Sequence, residues 1–236
     1  MIQFYSPDIV STGLLPESES LHCCRVLRHK AGDEIFVTDG KGSRFKCRIT
    51  DPHTSHTSVE IIGKEDIIDP TYRITIAVAP TKNADRMEWM AEKCVELGVN
   101  RIVLLKCTRS ERKIMKTDRL QKIMISAMKQ SLGVSLPEIS ELISLKEFVN
   151  HISSETQRFF GYCSEDFPRK EFAREYKPGS DVVVMIGPEG DFSPEEVKIA
   201  VEAGFMPVTF GNHRLRTETA ALFAVSAIET LNQLNQ

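Results

Sequence analysis

The chain has 236 residues and carries 30 Lys+Arg against 33 Asp+Glu, a formal net charge of −3, with 41% hydrophobic and 27% charged residues. That composition supports a buried core, and it excludes both wholesale disorder and a uniformly basic chain that coats nucleic acid by bulk charge. The longest uninterrupted apolar runs, 182–186 and 220–225, fall far short of the ~20 residues that a membrane-spanning helix needs, so no membrane partner is expected.

The first ten residues, MIQFYSPDIV, lack a basic region followed by an apolar stretch, so no secretory signal is expected. Cys23, Cys24, Cys47, Cys94, Cys107 and Cys163 form no C-x-x-C pair. They read as small buried hydrophobes in a reducing cytoplasm, with no ligand cluster for a metal.

Residues 1–69 read mostly as strands. A short helix at about 18–29 carries His22, Cys23, Val26 and Leu27. Residues 34–39 alternate, Asp39-Gly40-Lys41-Gly42 supplies a hairpin turn, and 44–50 returns with Phe45, Cys47 and Ile49 on one face. Residues 57–62 add a strand. The segment predicts a small β-rich domain similar to a barrel, with Ile67-Ile68-Asp69-Pro70 as its linker.

From Tyr72 strands and helices alternate. Strands are predicted at 73–79, 102–105, 159–163, 182–186 and 208–210. Asn83 caps a helix with Met87, Met90, Cys94 and Leu97 at helical spacing, and Gly98 stands where a terminating glycine belongs. A helix from Thr117 or Asp118 places Leu120, Ile123, Met124 and Ala127 on one stripe. Ser144 to Glu147 and Ser193-Pro194-Glu195-Glu196 are capping boxes, the second with proline at the first helical position. A last helix covers 218–231. The alternation predicts an α/β domain over 70–236, a parallel sheet with helices on both faces.

Ligands of such sheets bind outside the carboxyl ends of the strands, where two loops stand out. Gly187-Pro188-Glu189-Gly190-Asp191-Phe192 joins a strand to a capped helix, and its glycines permit close backbone approach. No Gly-Lys-Ser/Thr follows, which excludes a P-loop. Residues 211–220, Gly-Asn-His-Arg-Leu-Arg-Thr-Glu-Thr-Ala, again join a strand to a helix. Taken singly, the first loop reads equally as a connecting turn. In the second, Arg216 and Glu218 read equally as a local ion pair, with Thr217 as an N-cap.

Taken together, the loops resemble the cofactor-binding signature of the SPOUT superfamily of RNA methyltransferases. More narrowly, the chain resembles the RsmE family. The matching segments are HCCRVLR at 22–28 with Gly32-Asp33, EWMAEKCVELG at 88–98, Thr108-Arg109-Ser110, Gln130-Ser131, Gly187 to Gly190, and LRTETA at 215–220, in that order. The resemblance implies an N-terminal PUA-like barrel and a C-terminal α/β domain with a trefoil knot. It implies methylation, dependent on S-adenosyl-L-methionine, of N3 of a uridine in the decoding region of 16S rRNA in the small subunit. It also implies a homodimer, with the helices at 83–98 and 218–232 as candidate interface. The cofactor is expected against Phe210, Gly211, Leu215, Arg216, Thr217 and the Gly187-Pro188-Glu189-Gly190 loop. The chain departs from the family pattern at Asp191, where glycine is frequent, and at Lys129 and Gly133, where the family carries Glu and Arg. Another SPOUT methyltransferase with a different target nucleotide, and a non-catalytic assembly factor, are the competing readings.

The net charge hides a strong polarity. Residues 101–133 hold nine Lys/Arg and two acids, +7, whereas residues 134–202 sum to −7. A basic run this dense matches the footprint of phosphate contacts. Candidate RNA contacts are Arg109, Arg112, Lys113 and Gln130, together with Arg25, Arg28 and Arg44 from the first domain. The chemistry needs a nucleophilic nitrogen, and uracil N3 acquires its lone pair only as its proton leaves. Arg216 is the candidate stabiliser of charge on the uracil oxygens, and Glu189 or Glu218 the candidate acceptor of the proton.

Overall fold

The computed structural model describes residues 2–67, 70–164 and 167–235. Ile68 and Asp69 of the expected linker lie outside the described residues. The chain divides into two compact units, residues up to 69 with 125–136, and 70–124 with 137–236.

The first unit contains β1 (Gln3–Tyr5), α1 (Ile9–Thr12), α2 (Glu17–Leu21), β2 (Glu34–Thr38), β3 (Ser43–Asp51) and β4 (Ser58–Asp66). The sheet order is β1-β2-β3-β4, with β1 parallel to β2 and the rest antiparallel. Phe45, Cys47 and Ile49 face a core that includes Phe4, Ile9, Leu15, Val37 and Val59. The helix expected to reach 29 instead passes from α2 into a π-helical turn at His22–Val26 and stops. Arg28 adopts φ +60, a left-handed conformation that no right-handed helix can continue through.

Residues 132–136 complete this unit although they lie far along the chain. Gln3 Nε2 donates to the Gly133 carbonyl (2.7 Å), and Gly42 N and Thr38 Oγ1 donate to that of Val134 (3.0 and 3.2 Å). Leu136 N donates to the Gly40 carbonyl at 2.8 Å. Lys129 pairs with the largely buried Glu19 at 2.5 Å. Lys129 therefore serves structure where it departs from the family pattern.

The second unit contains β5 (Ile74–Val78), α3 (Ala84–Glu96), β6 (Arg101–Lys106), α4 (Thr117–Gln130, whose last residues belong to the first unit), β7 (Glu138–Ser144), α5 (Leu145–Val149), β8 (Gln157–Gly161), β9 (Lys170–Glu171), α6 (Phe172–Glu175), β10 (Val182–Ile186), α7 (Pro194–Glu202), β11 (Met206–Thr209) and α8 (Thr217–Gln233). Its sheet runs β7-β6-β5-β10-β8-β11-β9, and every pairing is parallel. β10 is buried along its whole length, which is why it reads as an unbroken apolar run. One face packs Val103, Leu105 and Met185 against Phe148 of α5 and Val197 of α7. On α3, Met87, Met90 and Cys94 are buried, and α3 packs on α8, whose Ala221, Ala224, Val225 and Ile228 are buried. Asn83 caps α3 by accepting from Asp85 N at 2.8 Å, and Gly98 has φ +88.

β7, β9 and α6 escape the sequence pattern. β7 and β9 are the two edges of the sheet, and β7 is half-exposed, with Ile139, Leu142 and Ile143 spaced irregularly. A register shift between Ile102 and Leu104 breaks the alternation that would have marked it. No helix is long and apolar enough to cross a membrane among the described residues.

Of the cysteines, Cys23, Cys47, Cys94 and Cys107 are buried, as expected, and burial pushes the Cys94 and Cys107 thiols up to about 12. Cys24 is half-buried. Cys163 departs from the expectation: it is exposed, because it lies in the loop after β8 rather than inside the strand.

Candidate active site

The loop after β10 is built to hold one shape. Asp191 N donates to the Pro188 carbonyl at 2.9 Å, closing a turn, and Asp191 adopts φ +62. Asp tolerates that conformation better than most side chains, and here its carboxylate also adds bonds. Oδ1 accepts from Phe192 N and Oδ2 from Cys163 N, both at 2.9 Å. The loop after β8 is thereby tied to the loop after β10 by the residue that departs from the family pattern. Asp191→Ala, which keeps the strained backbone and loses both acceptors, is expected to cost about 1–2 kcal/mol by urea denaturation. Asp191→Gly relieves the strain and should cost less. Equal losses would remove the conformational part of this account.

Two further contacts brace the same loop. Ser193 and Glu196 form the complete capping box of α7, and Glu196 Oε1 also accepts from Thr108 N at 2.7 Å. Arg109 Nη1 donates to the carbonyls of Gly190 (2.9 Å) and Phe192 (3.2 Å). A Cβ on Gly190 would lie 3.3 Å from the Arg109 Cβ, and one on Gly187 3.2 Å from the Phe192 ring.

The loop after β11 meets the first loop at the start of α8. Thr217 Oγ1 donates to the Gly187 carbonyl at 3.1 Å, and Arg214 Nη2 to that of Glu189 at 3.4 Å. Arg216, not Thr217, occupies the N-cap position, and its side chain caps nothing. Glu218 is buried at 6% exposure. Its ion-pair partner is Arg86 of α3, Nε to Oε1 at 3.7 Å, rather than Arg216. Glu218 Oε2 is buried with no hydrogen-bond partner among the described residues.

Together the loops enclose a cleft of about 700 Å³. The expected residues Gly187, Pro188, Glu189, Phe210, Gly211, Leu215, Arg216, Thr217 and Glu218 all line it. Gly190 supports the loop from behind, against Arg109. Arg86, Tyr162, Cys163, Arg169 and Arg214 also line the cleft and were not anticipated. Desolvation of the sulfur and the Asp191 carboxylate push the Cys163 thiol above its ordinary range. Gly161 ends β8 where a Cβ would come within 2.7 Å of the Phe210 ring, and Phe210 in turn rests on Phe172 and Phe223. The missing side chain at Gly161 thus makes room for one wall of the cleft.

The expected RNA contacts fare differently. Arg25, Arg28, Lys113 and Gln130 are exposed. Arg44 is buried, and its guanidinium donates to Gln3 Oε1 (2.7 Å), Glu65 Oε2 (3.2 Å) and the Leu132 carbonyl. It is therefore not free to meet RNA. Its strand neighbours Lys46 and Arg48 both pair with Glu34. Arg112 donates to the carbonyls of Thr81 (3.0 Å) and Lys82 (2.6 Å), so it and Arg109 position loops. Within 101–133, Arg101 pairs with Glu138, Arg119 with Glu88 and Lys129 with Glu19. The cations left without such partners among the described residues are Lys106, Lys113, Lys116 and Lys122, all exposed.

Residues 69–229 match the family model described as an RNA methyltransferase domain, and residues 15–62 match an RNA methyltransferase PUA domain. The ribosomal RNA small subunit methyltransferase E of Aquifex aeolicus is 31% identical over 219 residues, covering 91% of this chain and 93% of that protein. The chain belongs to the ribosomal RNA small subunit methyltransferase E family. It is an rRNA methyltransferase with an α/β domain of parallel sheet and a PUA domain. Among solved structures, a probable rRNA-methyltransferase from Porphyromonas gingivalis superposes with a TM-score of 0.95 at 44% identity, covering all of both chains. The family member from Neisseria gonorrhoeae, bound to S-adenosyl methionine, superposes at 0.87 with 32% identity over 98% of each chain.

Proposed function

We propose that this rRNA methyltransferase takes its methyl group from S-adenosylmethionine and places it on N3 of a uridine in the decoding region of 16S rRNA, with the assembled small subunit as substrate, in the cytoplasm. The observation that carries this is the cleft formed by the Gly187 and Leu215 loops, lined by Phe210, Gly211, Arg216 and Glu218. Those features fit the cofactor. Gly211 leaves backbone open to close approach, with nothing within 4 Å of where a Cβ would stand, Phe210 offers an aromatic wall, and the donor set contains no cluster suited to a metal among the described residues.

When bound, the cofactor supplies a methyl group made electrophilic by a sulfonium. The chain's residues position that group and manage one proton. Arg216, exposed at the mouth of α8, stabilises negative charge on the uracil oxygens. Glu189 or Glu218 accepts the N3 proton. Glu189 Oε1 already receives Lys82 N at 3.3 Å, whereas Glu218 Oε2 is unoccupied by any bond. Both domains grip the RNA, residues 1–69 for placement and residues 70–236 for the chemistry. The knot and the homodimer belong to the same reading. Membership of the family supports the first. The exposure of Trp89 on α3 and Phe223 on α8 supports the second, which sedimentation velocity would test.

Incubating the protein with unmodified small subunits and labelled cofactor, then mapping the modified base, tests the central claim. Label on any base other than a uridine at N3 would overturn it. For RNA binding, the free cations decide. Glutamate at Lys113, Lys116 and Lys122 together is expected to weaken binding at least tenfold and to lower the salt slope by roughly one for each phosphate that is no longer neutralised. An unchanged slope would remove this surface from the proposal.

A further inference from the structure

Residues 111–116 cross from β6 to α4 without regular secondary structure, and two side chains pin them. Arg112 donates to the carbonyls of Thr81 and Lys82, and Met115 is buried at 7% exposure. Between them Ile114 is 78% exposed, the most exposed large hydrophobic side chain among the described residues. A single exposed apolar residue needs no explanation by itself, but the setting of this one is unusual. The pins on either side stop the segment turning to bury it, although burial would be favourable. Its neighbours Lys113 and Lys116 are exposed and have no carboxylate partner among the described residues. The segment is also tied to the walls of the cleft. Arg109 holds the carbonyls of Gly190 and Phe192, and Lys82, whose carbonyl takes Arg112, donates its own N–H to Glu189.

We propose that residues 113–116 are a docking site for an unpaired segment of the rRNA beside the target nucleotide, where Lys113 and Lys116 neutralise phosphates while Ile114 lies against the face of an exposed base. Cations alone do not tell a single strand from a duplex, since both offer phosphates. An apolar side chain does. In a paired A-form helix the base faces are stacked on one another and the outer surface is ribose and phosphate, so Ile114 would be left against polar groups. An unpaired segment turns base faces outward, and a base laid on aliphatic carbon removes apolar surface of both from water. Charge complementarity therefore selects a polyanion, and the aliphatic tip between the charges selects one whose bases are accessible. Because Arg112 and Met115 hold the tip in place before RNA arrives, little conformational freedom is lost on binding.

The role of Ile114 rests on the lysine surface proposed above, and the experiment separates the two. Fluorescence anisotropy over a range of salt concentrations gives the affinity of the full-length protein for labelled oligouridylate and for an RNA duplex of equal length. Ile114→Ala is expected to lower oligouridylate affinity about fivefold at every salt concentration, with the salt slope, the duplex affinity, S-adenosylmethionine binding and the thermal midpoint unchanged. Ile114→Phe should restore the loss, because a ring stacks on a base at least as well as an aliphatic chain. Unchanged oligouridylate affinity in Ile114→Ala, or an equal loss on the duplex, sinks the role of Ile114. So does a fall in the thermal midpoint or in the sedimentation coefficient, which would assign the tip to the fold or to a contact between copies. A wild type that binds neither RNA removes the docking site and its lysines together. A wild type that methylates no uridine in unmodified small subunits, with the oligouridylate loss in Ile114→Ala still selective, sinks the proposed target and leaves the docking site standing.

Discussion

Arg216→Ala is expected to lower kcat by about 10²–10³-fold, the cost typical of removing one preorganised donor from a developing anion. S-adenosylmethionine binding should survive, because the start of α8 that frames the cleft is held by backbone. The Arg216 carbonyl accepts the first helical bond of α8, from Ala220 N at 2.8 Å, and alanine preserves that bond. The side chain is exposed, lines the cleft and caps no helix. Its charge is therefore available to a ligand rather than committed to the fold, in contrast to Arg109 and Arg112. Arg216→Lys should recover only part of the loss, since an ammonium lacks the fork. Single-turnover methylation and calorimetry check the pair. A variant with wild-type kcat would take Arg216 out of the chemistry.

What the sequence made legible were features written in neighbouring residues. The Ser193–Glu196 box, the Asn83 cap, Gly98 and the buried run at β10 are local patterns, and they stand where the spacing puts them. The two cleft loops were legible through glycine spacing and resemblance. The rest depends on partners remote in the chain. Arg44 alternates outward with Lys46 and Arg48, as a strand demands, but residues 132–136 cover it. Nothing within reach of a periodicity argument connects positions 88 apart. The +7 of residues 101–133 looked like one phosphate-binding surface. Five of those nine cations are engaged by carbonyls or acids inside the fold, and only a lysine subset remains. Arg86 sat unnoticed in the first turn of a well-capped helix, because its significance comes from Glu218, which reaches it only when α8 packs on α3.

Arg44→Ala is expected to destabilise the first unit by about 2–4 kcal/mol, a large share of the 5–15 kcal/mol typical of a whole domain. The Glu65 ion pair is the smaller part, because the Glu65 side chain is 43% exposed and water screens it. The larger part lies in what the substitution strands. Gln3 is buried and would lose the donor to its Oε1, and the Leu132 carbonyl would lose its own. Gln3 Nε2 in turn holds the Gly133 carbonyl at 2.7 Å, so one deletion loosens β1 and the 132–136 segment together. Glu65→Ala is therefore expected to cost under about 1 kcal/mol, and the gap between the two variants measures the interior bonds apart from the surface pair. Urea denaturation gives the totals. Hydrogen exchange should show faster opening at Gly42 N and Leu136 N, which bond across the same seam, in Arg44→Ala only. Equal costs for the two variants would mean that Arg44 contributes as a surface cation, and would return it to the candidates for RNA contact.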